Sequence, residues 1–473
     1  MKFDTLIFFL FFFITIVVYF KFSKNVKNQN IILLFASIIF YATWDSLFVL
    51  ILLYNILVGY FFGLFSNKKK TNYILNIGII LLLIPLLYYK YLNFILLNLA
   101  FFLKIEDYYI TTNNFILPLG ISFYTFHGLS YLLDLKNKRI PIEKSLLDYS
   151  IFISYFPLLL AGPIERTNTL LPQIKKQREF NYSRSVTGTR LILFGLWKKV
   201  FVANSLAFFS DKIFNDFANQ YSFYIFICVI GFMFQVYADF SAYSDIARGC
   251  SRILGIELIR NFNFPFFAKS IPEYWSRWHI SLSSWLNDYI FSPIAIATRH
   301  FGKFGILLSI FITFLVSGVW HGASWNYIFW GLIFALSYLP YVIFQSKISF
   351  TKLKSSKNIF LIFLNIFYLQ FVLFLTYLFF RSPNLNTSFL LMSKLISFDF
   401  TVDTNLFSKL EILFFFFQVG FFILVDYSIF TKNYFYNSFF KNKLFRNSLY
   451  VIMSLVILLF INRTNTQFIY FQF

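Results

Sequence analysis

The stretch "FGILLSIFITFLVSGVWHGASWNYIFWGLIFALSYLPYVIF", residues 304–344, contains no Asp, Glu, Lys or Arg. About 20 apolar residues suffice to cross the hydrocarbon core of a bilayer, so the stretch predicts two spanning helices that meet near His321. A polar side chain in hydrocarbon must be hydrogen-bonded, functional or both. The stretch therefore indicates the fold class and contains the first candidate functional residue.

The whole chain has the composition of a membrane protein. Of its 473 residues, 59% are hydrophobic and 13% are charged, whereas a soluble domain carries about 25% charged residues. Further apolar segments predict spanning helices near residues 5–20, 31–43, 47–65, 74–90, 115–134, 188–208, 222–247, 359–380, 409–428 and 448–462. We therefore expect an all-α polytopic membrane protein with about 11 transmembrane helices.

Three segments between these spans are too polar or too short to cross a bilayer simply: 91–103, 151–175 and 264–298. At membrane depth such segments require protein or a water-filled cavity to shield their backbone. We expect them to be re-entrant or interfacial helices around a central cavity, within a single integral-membrane domain over residues 1–473.

The formal net charge of +21 could indicate nucleic acid or anionic lipid as a partner. No nucleic-acid recognition module interrupts the helices, so we expect no nucleic-acid partner. The cations instead cluster in short loops, as in cytoplasmic loops of membrane proteins: Lys21, Lys24 and Lys27; Lys68 to Lys70; Lys347 to Lys357; Lys432 to Arg446. Two apolar runs that meet near Trp44 separate the first two clusters, and a hairpin of two spans returns the chain to the same side of the membrane. The positive-inside rule then predicts that these basic loops are cytoplasmic and that the N-terminus is outside.

The most informative polar segment is "IPEYWSRWHISLSSWLNDYIFSPI", residues 271–294. One set of residues recurs at helical spacing and predicts an aromatic stripe on a continuous α-helix: Trp275, Trp278, Leu282, Trp285 and Tyr289. A second set predicts a polar stripe: Glu273, Arg277, Ser281, Ser284 and Asp288. His279 falls on the aromatic side. An interfacial helix and a helix that lines a polar cavity both explain this pattern.

Structural and catalytic roles are both open for His321 on pattern alone. Gly318 and Gly322 would let a helix or a substrate approach its backbone closely. A neutral imidazole in a low-dielectric cavity can accept a proton from a hydroxyl nucleophile. Because its own segment holds no charged residue, His321 would depend on another helix for its orientation.

Structural roles are expected for most other polar groups in the apolar segments. Asp245 and Arg248 are three residues apart and can pair on one helix face. His127 is expected to be packed and hydrogen-bonded, and His300 to be interfacial. The chain has no HxxxH, HxxEH or CxxC spacing, so we expect no metal site and read Cys228 and Cys250 as packing residues.

Two segments resemble the central signatures of the membrane-bound O-acyltransferase family: "PEYWSRWHISLSSWLNDYIFSPI" and "SGVWHGASWNYIFWG". The branch that the chain resembles contains bacterial polysaccharide O-acetyltransferases for alginate and peptidoglycan and, more distantly, the teichoic-acid D-alanylation protein. The resemblance extends in order over residues 30–345, through "LLFASIIFYATWD", "LPLGISFYTFHGLSYLLDL", "FPLLLAGPIER", "LFGLWKKVFVANSLA" and "YADFSAYSDIARG". The helices over 359–462 follow this core.

The resemblance implies roles for individual residues. The family's signature histidine, usually taken as catalytic, falls on His321, and the histidine of its "RWHISLS" motif falls on His279, within a conical cavity. Asp288 matches the acidic residue of the branch's usual "WLRDY" motif, in which Asn287 here replaces the basic residue. The residues expected to line the cavity or bind substrate are Arg277, Ser281, Ser284, Asp288 and Trp320.

The resemblance further implies an O-acyltransferase of the bacterial inner (cytoplasmic) membrane. The expected donor is a cytoplasmic thioester, acetyl-CoA or an acyl carrier protein, with no bound cofactor. The expected acceptor is an extracytoplasmic polysaccharide, either peptidoglycan or an alginate-like exopolysaccharide. A periplasmic SGNH-hydrolase-like acetyltransferase is the expected protein partner. An alternative from a different class is a lipid-linked glycan flippase or transporter, whose polar stripe would line a passage.

Overall fold

The computed structural model describes residues 1–22, 25–66, 71–104, 116–215, 221–344, 358–399, 407–431, 442–460 and 469. Regular secondary structure within these ranges is helical throughout. Nine of the described helices are long and apolar enough to cross a bilayer, and three further apolar helices are shorter. Leu6–Lys21 and Val26–Ala42, two of the predicted spans, are among the shorter ones. The predicted all-α polytopic membrane fold is confirmed.

The helices group into two compact units. The first unit contains Met1–Ile192 and Tyr243–Arg260, and the second contains Leu193–Ala242 and Asn261–Phe473. The single domain expected over residues 1–473 stays a prediction. The predicted topology also stays a prediction, because Lys24, Lys68 to Lys70, Lys347 to Lys357 and most of the last basic cluster lie outside the described residues.

The first unit begins with ten helices: α1 (Leu6–Lys21), α2 (Val26–Ala42), α3 (Phe48–Phe65), α4 (Thr71–Leu86), α5 (Leu92–Leu103), α6 (Ile121–Lys136), α7 (Leu146–Ser154), α8 (Phe156–Leu159), α9 (Thr167–Ile174) and α10 (Tyr182–Trp197). The last of them, α10, continues into the second unit. The predicted hairpin between the first basic clusters is confirmed, since α2 and α3 are joined by a short turn around Trp44. The predicted pair between Asp245 and Arg248 is also confirmed, at 3.3 Å.

One prediction in the first unit is wrong. Residues 91–103 do not form a separate re-entrant segment, because a π-helical turn at Leu87–Tyr91 joins α4 to α5 in one helix of 33 residues. The span predicted near 115–134 corresponds to α6, a helix of 16 residues that is buried along most of its length. Its many polar residues therefore face protein, and its role as a span stays a prediction.

The helices that follow are α11 (Asn204–Asn215), α12 (Ser222–Ile253), α13 (Ile271–Arg277), α14 (Ile280–Leu286), α15 (Ser292–Ala297), α16 (Lys303–His321), α17 (Trp325–Ser337), α18 (Leu339–Ile343), α19 (Ile359–Arg381), α20 (Leu385–Ile396), α21 (Lys409–Thr431) and α22 (Lys443–Phe460). π-Helical turns at Lys198–Ala203 and Asn287–Phe291 join α10 to α11 and α14 to α15. All of these helices belong to the second unit, except that the C-terminal part of α12 belongs to the first.

Helices α16 and α17 form the hairpin that the apolar stretch over 304–344 predicts. The chain reverses within three residues, and the Ser324 hydroxyl accepts a hydrogen bond from the Asn326 N–H at the start of α17. A Cβ atom on Gly318 would overlap the carbonyl oxygen of Tyr327, and one on Gly331 would overlap that of Phe314. These glycines therefore allow the two backbones to touch, which fixes the position of His321 at the end of α16.

Candidate active site

The segment around His279 is a broken helix. Helix α13 ends at Arg277, Trp278 is extended with ψ 130°, and His279 has left-handed dihedrals of φ 41° and ψ 53° before α14 begins at Ile280. A left-handed backbone is strained in a residue other than glycine, so surrounding contacts must hold it in place. The prediction of one continuous helix with a single aromatic stripe over 271–294 is therefore wrong.

Asn261 supplies the contacts that hold this break. Its carbonyl oxygen accepts the Ile280 N–H at 2.9 Å, and its Oδ1 accepts the Ser281 N–H at 3.2 Å and the Ser281 hydroxyl at 3.0 Å. His279 Nδ1 lies 3.1 Å from the same Oδ1. A backbone N–H can only donate, so this Asn261 atom is the acceptor oxygen and His279 Nδ1 carries a proton. Nε2 is then the basic nitrogen of His279.

The His279 ring is enclosed by protein. Its side chain is 1% exposed, and the ring of Phe240 on α12 meets it edge-on with centroids 4.6 Å apart. Burial lowers the pKa of this imidazole, which lies outside the nine candidate spans, to about 3. His279 is therefore neutral at physiological pH, the form that can accept a proton.

His321, the last residue of α16, is held by aromatic rings from two other helices. Trp330 on α17 lies 4.8 Å from its ring centroid, and Phe380 on α19 lies 5.2 Å from it, both near perpendicular. The side chain is 5% exposed. These rings keep bulk water away from the imidazole, and the prediction that another helix orients His321 stays a prediction.

Trp320 connects the two histidines. Its ring centroid lies 5.8 Å from that of His279 and 4.9 Å from that of His321, and the indole is itself buried. Ser281 joins the same group through Asn261 and through a 3.5 Å contact with His279 Nδ1. The structure therefore brings together four of the predicted site residues.

The other three predicted site residues have different partners. The Arg277 guanidinium donates to the Glu273 carboxylate at 2.7 Å and to the Asn263 carbonyl at 3.2 Å. The Ser284 hydroxyl donates to the Ser281 carbonyl at 3.0 Å. Asp288 accepts from the Asn287 amide at 3.3 Å within a π-helical turn. Their roles in substrate binding stay predictions.

The two remaining histidines lie outside this group. His127 is buried in α6, and its Nε2 accepts the backbone N–H of Glu165 at 3.1 Å, which confirms a packed and hydrogen-bonded residue. His300 is exposed, and its ring is tilted against that of Phe301 with centroids 4.0 Å apart; its interfacial position stays a prediction. Among the described residues, no group of three His, Cys, Asp or Glu side chains could hold a metal ion.

The two cysteines are buried free thiols, so their packing role is confirmed. Asp239, which the sequence places in a spanning helix, pairs with Lys199 at 2.8 Å. Sequence reasoning missed this pair, although the adjacent lysines of "LWKKVF" were a visible signal of buried charge.

Sequence reasoning also missed Asn261, the residue that fixes the tautomer of His279. Asn261 lies in "NFNFPFF", residues 261–267, where the only signal is an amide beside a run of aromatic residues. Nothing in its spacing to His279 is helical, because the two residues meet across a chain reversal. Trp330 and Phe380 were likewise indistinguishable from other apolar residues of spanning helices.

The model of the family described as "MBOAT, membrane-bound O-acyltransferase family" matches residues 133–382, which is more than half of the chain. The chain belongs to the membrane-bound O-acyltransferase family. Every residue of the candidate site, from Asn261 to Phe380, lies inside the matched part.

Curated members of this family align with the chain over long stretches. A "Probable alginate O-acetylase AlgI" of Azotobacter vinelandii is 33% identical over 331 residues, which cover 68% of this chain and 65% of that protein. A "Peptidoglycan O-acetyltransferase" of Helicobacter pylori is 31% identical over 346 residues, which cover 67% of this chain and 65% of that protein. The chain thus spans slightly less than two thirds of the length of either relative.

A third family member differs in the group named. A "Teichoic acid D-alanyltransferase" of Bacillus subtilis is 30% identical over 249 residues, which cover 49% of this chain and 61% of that protein. The names of these three relatives differ in both the polymer and the acyl group. Their similarity to this chain supports the family chemistry and does not separate the acceptors.

Proposed function

We propose that this protein is an O-acyltransferase of the inner membrane that moves an acetyl group from a cytoplasmic thioester toward hydroxyls of an extracytoplasmic polysaccharide. Family membership supports acyl transfer, and the alginate and peptidoglycan O-acetylating relatives support a polysaccharide acceptor. The observation that carries the proposal is the pair of buried histidines, His279 and His321, on either side of Trp320. Neutral imidazoles enclosed by aromatic rings suit proton transfer to and from uncharged groups.

In this proposal His321 is the general base. Its neutral imidazole takes the proton of the acceptor hydroxyl while the hydroxyl oxygen bonds to the thioester carbonyl carbon. The carbon–sulfur bond then breaks, and the imidazolium returns the proton to the departing sulfur. The products are an acetyl ester and a free thiol, and His321 is neutral again.

His279 completes the site as an orienting group. Asn261 and the fixed Nδ1–H give its Nε2 a defined role as a hydrogen-bond acceptor, which suits the hydroxyl of an incoming acceptor. Negative charge that develops on the carbonyl oxygen needs donors nearby. We assign that role to donors near Arg277, the cation closest in sequence to His279.

The donor, acceptor and partner follow from the family chemistry. We take acetyl-CoA or an acyl carrier protein as the cytoplasmic donor, and a periplasmic SGNH-hydrolase-like transferase as the partner that completes delivery. Peptidoglycan is the first acceptor to test, because it is the commoner bacterial polymer, and an alginate-like exopolysaccharide is the second; the two relatives, at 31% and 33% identity, do not rank them.

The test is a comparison of wild type with His321→Ala in the native cell. Base-labile acetyl esters are quantified on purified peptidoglycan and on exopolysaccharide, with membrane abundance of the protein measured in parallel. We expect ester content on one polymer to fall on the order of 100-fold, while the amount of polymer is unchanged. His300→Ala, at an exposed position, is the matched control and should keep its esters.

The other outcomes have clear meanings. Unchanged esters on both polymers at normal protein abundance would exclude the proposed transfer. A fall in the amount of polymer with constant esters per sugar would instead support a glycan flippase or transporter, the alternative function.

A further inference from the structure

Helix α21 carries a carboxylate inside a candidate membrane span. Its 23 residues, Lys409–Thr431, are apolar enough to cross a bilayer, yet Asp426 is among its buried residues and is 6% exposed. A buried ionisable side chain is costly in a membrane helix, and its usual reason is a function. The histidine site described above does not use Asp426, and α21 lies beyond residue 382, where the family match ends.

Tyr237 on α12 is bound to this carboxylate. Its hydroxyl donates to Asp426 Oδ2 at 2.6 Å, a length typical of a hydroxyl bonded to an ionised carboxylate. Tyr237 is itself 4% exposed. A buried tyrosine hydroxyl needs an acceptor, but a neutral acceptor would satisfy it. The carboxylate therefore fixes the Tyr237 ring more firmly than packing requires.

The ring of Tyr237 faces the residues next to His279. Its centroid lies 6.2 Å from that of Trp278, the residue before His279, and 5.8 Å from that of Phe262, the residue after Asn261. Trp278 and Phe262 in turn meet edge-on at 5.0 Å. The three rings thus form one cluster beside the two residues whose hydrogen bond fixes the His279 tautomer, Asn261 and His279.

The conformation of Trp278 decides where His279 points. Trp278 is extended, with ψ 130°, and its indole is 5% exposed. Because His279 follows directly, a rotation of the Trp278 backbone would turn the imidazole away from Asn261. Tyr237 is one of the rings that hold the indole in place, so the orientation of Tyr237 bears on the orientation of His279.

Helix α21 also contacts the other end of this segment. Phe430, one turn after Asp426, lies 5.3 Å from the guanidinium carbon of Arg277, the last residue of α13. Phe422, one turn before Asp426, lies 5.5 Å from the ring of Tyr237. Positions 422, 426 and 430 recur at every fourth residue and so form one face of α21. This face supports the broken segment in two places.

We propose that Asp426 is a positioning residue for the acyl transfer described under the proposed function, on which this role rests. Asp426 holds the Tyr237 hydroxyl, and the Tyr237 ring holds Trp278 in its extended conformation. Trp278 in turn keeps the Nδ1–H of His279 on Asn261. Asp426 acts through Tyr237 and not on the reacting groups. Removal of the carboxylate should therefore loosen the imidazole without unfolding α21.

The first test reads the tautomer of His279 without any substrate. Nitrogen NMR of isotope-labelled histidine in full-length protein in lipid bilayers reports which ring nitrogen carries the proton, and His279→Asn identifies the signal of His279. We expect one tautomer in wild type, protonated at Nδ1, and a mixture of both in Asp426→Leu and Tyr237→Phe. Asp426→Asn keeps an acceptor for the Tyr237 hydroxyl and should show a smaller change.

The second test reads transfer. Acetyl esters on peptidoglycan and exopolysaccharide are quantified per molecule of membrane-inserted protein. We expect roughly a tenfold loss in Asp426→Leu and in Tyr237→Phe, which both break the same hydrogen bond. The double variant should lose no more than either single variant, because the two changes remove one shared contact. Asp426→Asn should recover most of the esters.

Gln418→Leu is the matched control. Gln418 is buried on the same helix and donates to the Phe201 carbonyl at 3.0 Å, about 12 Å from Asp426 along the helix axis. The variant should lower the temperature of thermal unfolding but keep the His279 signal and the esters per molecule. A wild-type signal with wild-type esters in Asp426→Leu, or an equal change of signal in Gln418→Leu, would overturn the proposal.

This role and the proposed function can fail separately. A changed His279 signal in Tyr237→Phe, together with unchanged esters in His321→Ala, would leave Asp426 as the residue that positions His279 while the proposed transfer fails. An unchanged signal in both Asp426→Leu and Tyr237→Phe, together with lost esters in His321→Ala, would reject the role of Asp426 alone. Tyr237→Phe removes a single oxygen atom, so it keeps the test decisive if Asp426→Leu does not fold.

Discussion

His127 and His279 are equally buried, at 1% exposure each, but they are held in opposite ways. His127 lies within the regular helix α6, and its Nε2 lone pair accepts a backbone N–H from Glu165. His279 interrupts a helix, and its Nδ1–H donates a hydrogen bond to the side chain of Asn261. A backbone donor thus occupies the basic nitrogen of His127, whereas the contact with Asn261 is made through the Nδ1–H of His279. Burial alone therefore does not distinguish a structural from a functional histidine.

The backbone makes the same distinction. A helical residue such as His127 needs no special support. The left-handed His279 is maintained by hydrogen bonds on both sides of the break: after it, the Ile280 N–H donates to the Asn261 carbonyl, and before it, the Arg277 carbonyl accepts the Asn263 N–H. Strain that neighbouring contacts maintain is common at sites where a side chain must have one orientation. This contrast can be tested at three positions.

Replacement of His279 should have the largest effect. We expect His279→Ala to reduce the formation of polysaccharide acetyl esters on the order of 100-fold, because the variant lacks the basic nitrogen. His279→Asn is the matched control, since asparagine tolerates the left-handed backbone and isolates the loss of the imidazole. Both are measured as esters per molecule of membrane-inserted protein. Full activity of His279→Asn would contradict a chemical role for the ring.

Asn261→Asp should change the pH dependence. A carboxylate can still accept the Nδ1–H, but it stabilises the imidazolium and so raises the pKa of His279 from its value of about 3. The proposed role requires neutral imidazole, and activity is lost as the pH falls through this pKa. The acid limb of the profile of rate against pH should therefore move to a higher pH by about 1 unit or more. The rate of ester formation between pH 2 and pH 8 in membrane vesicles measures this shift.

Asn261→Ala completes this experiment. It removes the acceptor altogether and should lower activity roughly tenfold at neutral pH, because the Nδ1 tautomer is no longer fixed. An unchanged acid limb in Asn261→Asp, together with full activity in Asn261→Ala, would show that Asn261 does not act through His279.

His127→Gln should have the smallest effect. The glutamine amide oxygen can accept the Glu165 N–H, so we expect a loss of about 1 kcal/mol in the free energy of unfolding and unchanged activity per folded molecule. His127→Leu leaves that N–H unpaired and should cost about 2 kcal/mol. Thermal unfolding of detergent-purified protein compares the two variants. A large loss of activity in stable His127→Gln would remove the contrast with His279.

Much of the fold was predictable because apolar runs carry strong local information. The hairpin of α16 and α17 follows from an uncharged stretch of 41 residues, and the Asp245–Arg248 pair follows from helical spacing. The error at residues 91–103 also has a local origin, since a π-helical turn let one helix continue where the pattern suggested two segments. The burial of α6 could not be predicted, because an apolar run does not reveal whether lipid or protein surrounds it.

The site was predictable only in part. His279 and His321 could be named from their motifs, but the break at His279 could not, because no glycine or proline marks it. Its cause is a tertiary contact with Asn261, 18 residues earlier in the chain. Trp320 could be predicted as a cavity residue, but its contacts with both histidine rings could not, because they depend on the tertiary structure.

The burial of both native thiols has a practical consequence for labelling work. Cys228 and Cys250 are enclosed, so membrane-impermeant maleimides will find no reactive native sulfur in the described part of the folded protein. Single cysteines introduced at exposed loop positions can therefore report which face of the membrane each loop occupies, without a prior cysteine-free background.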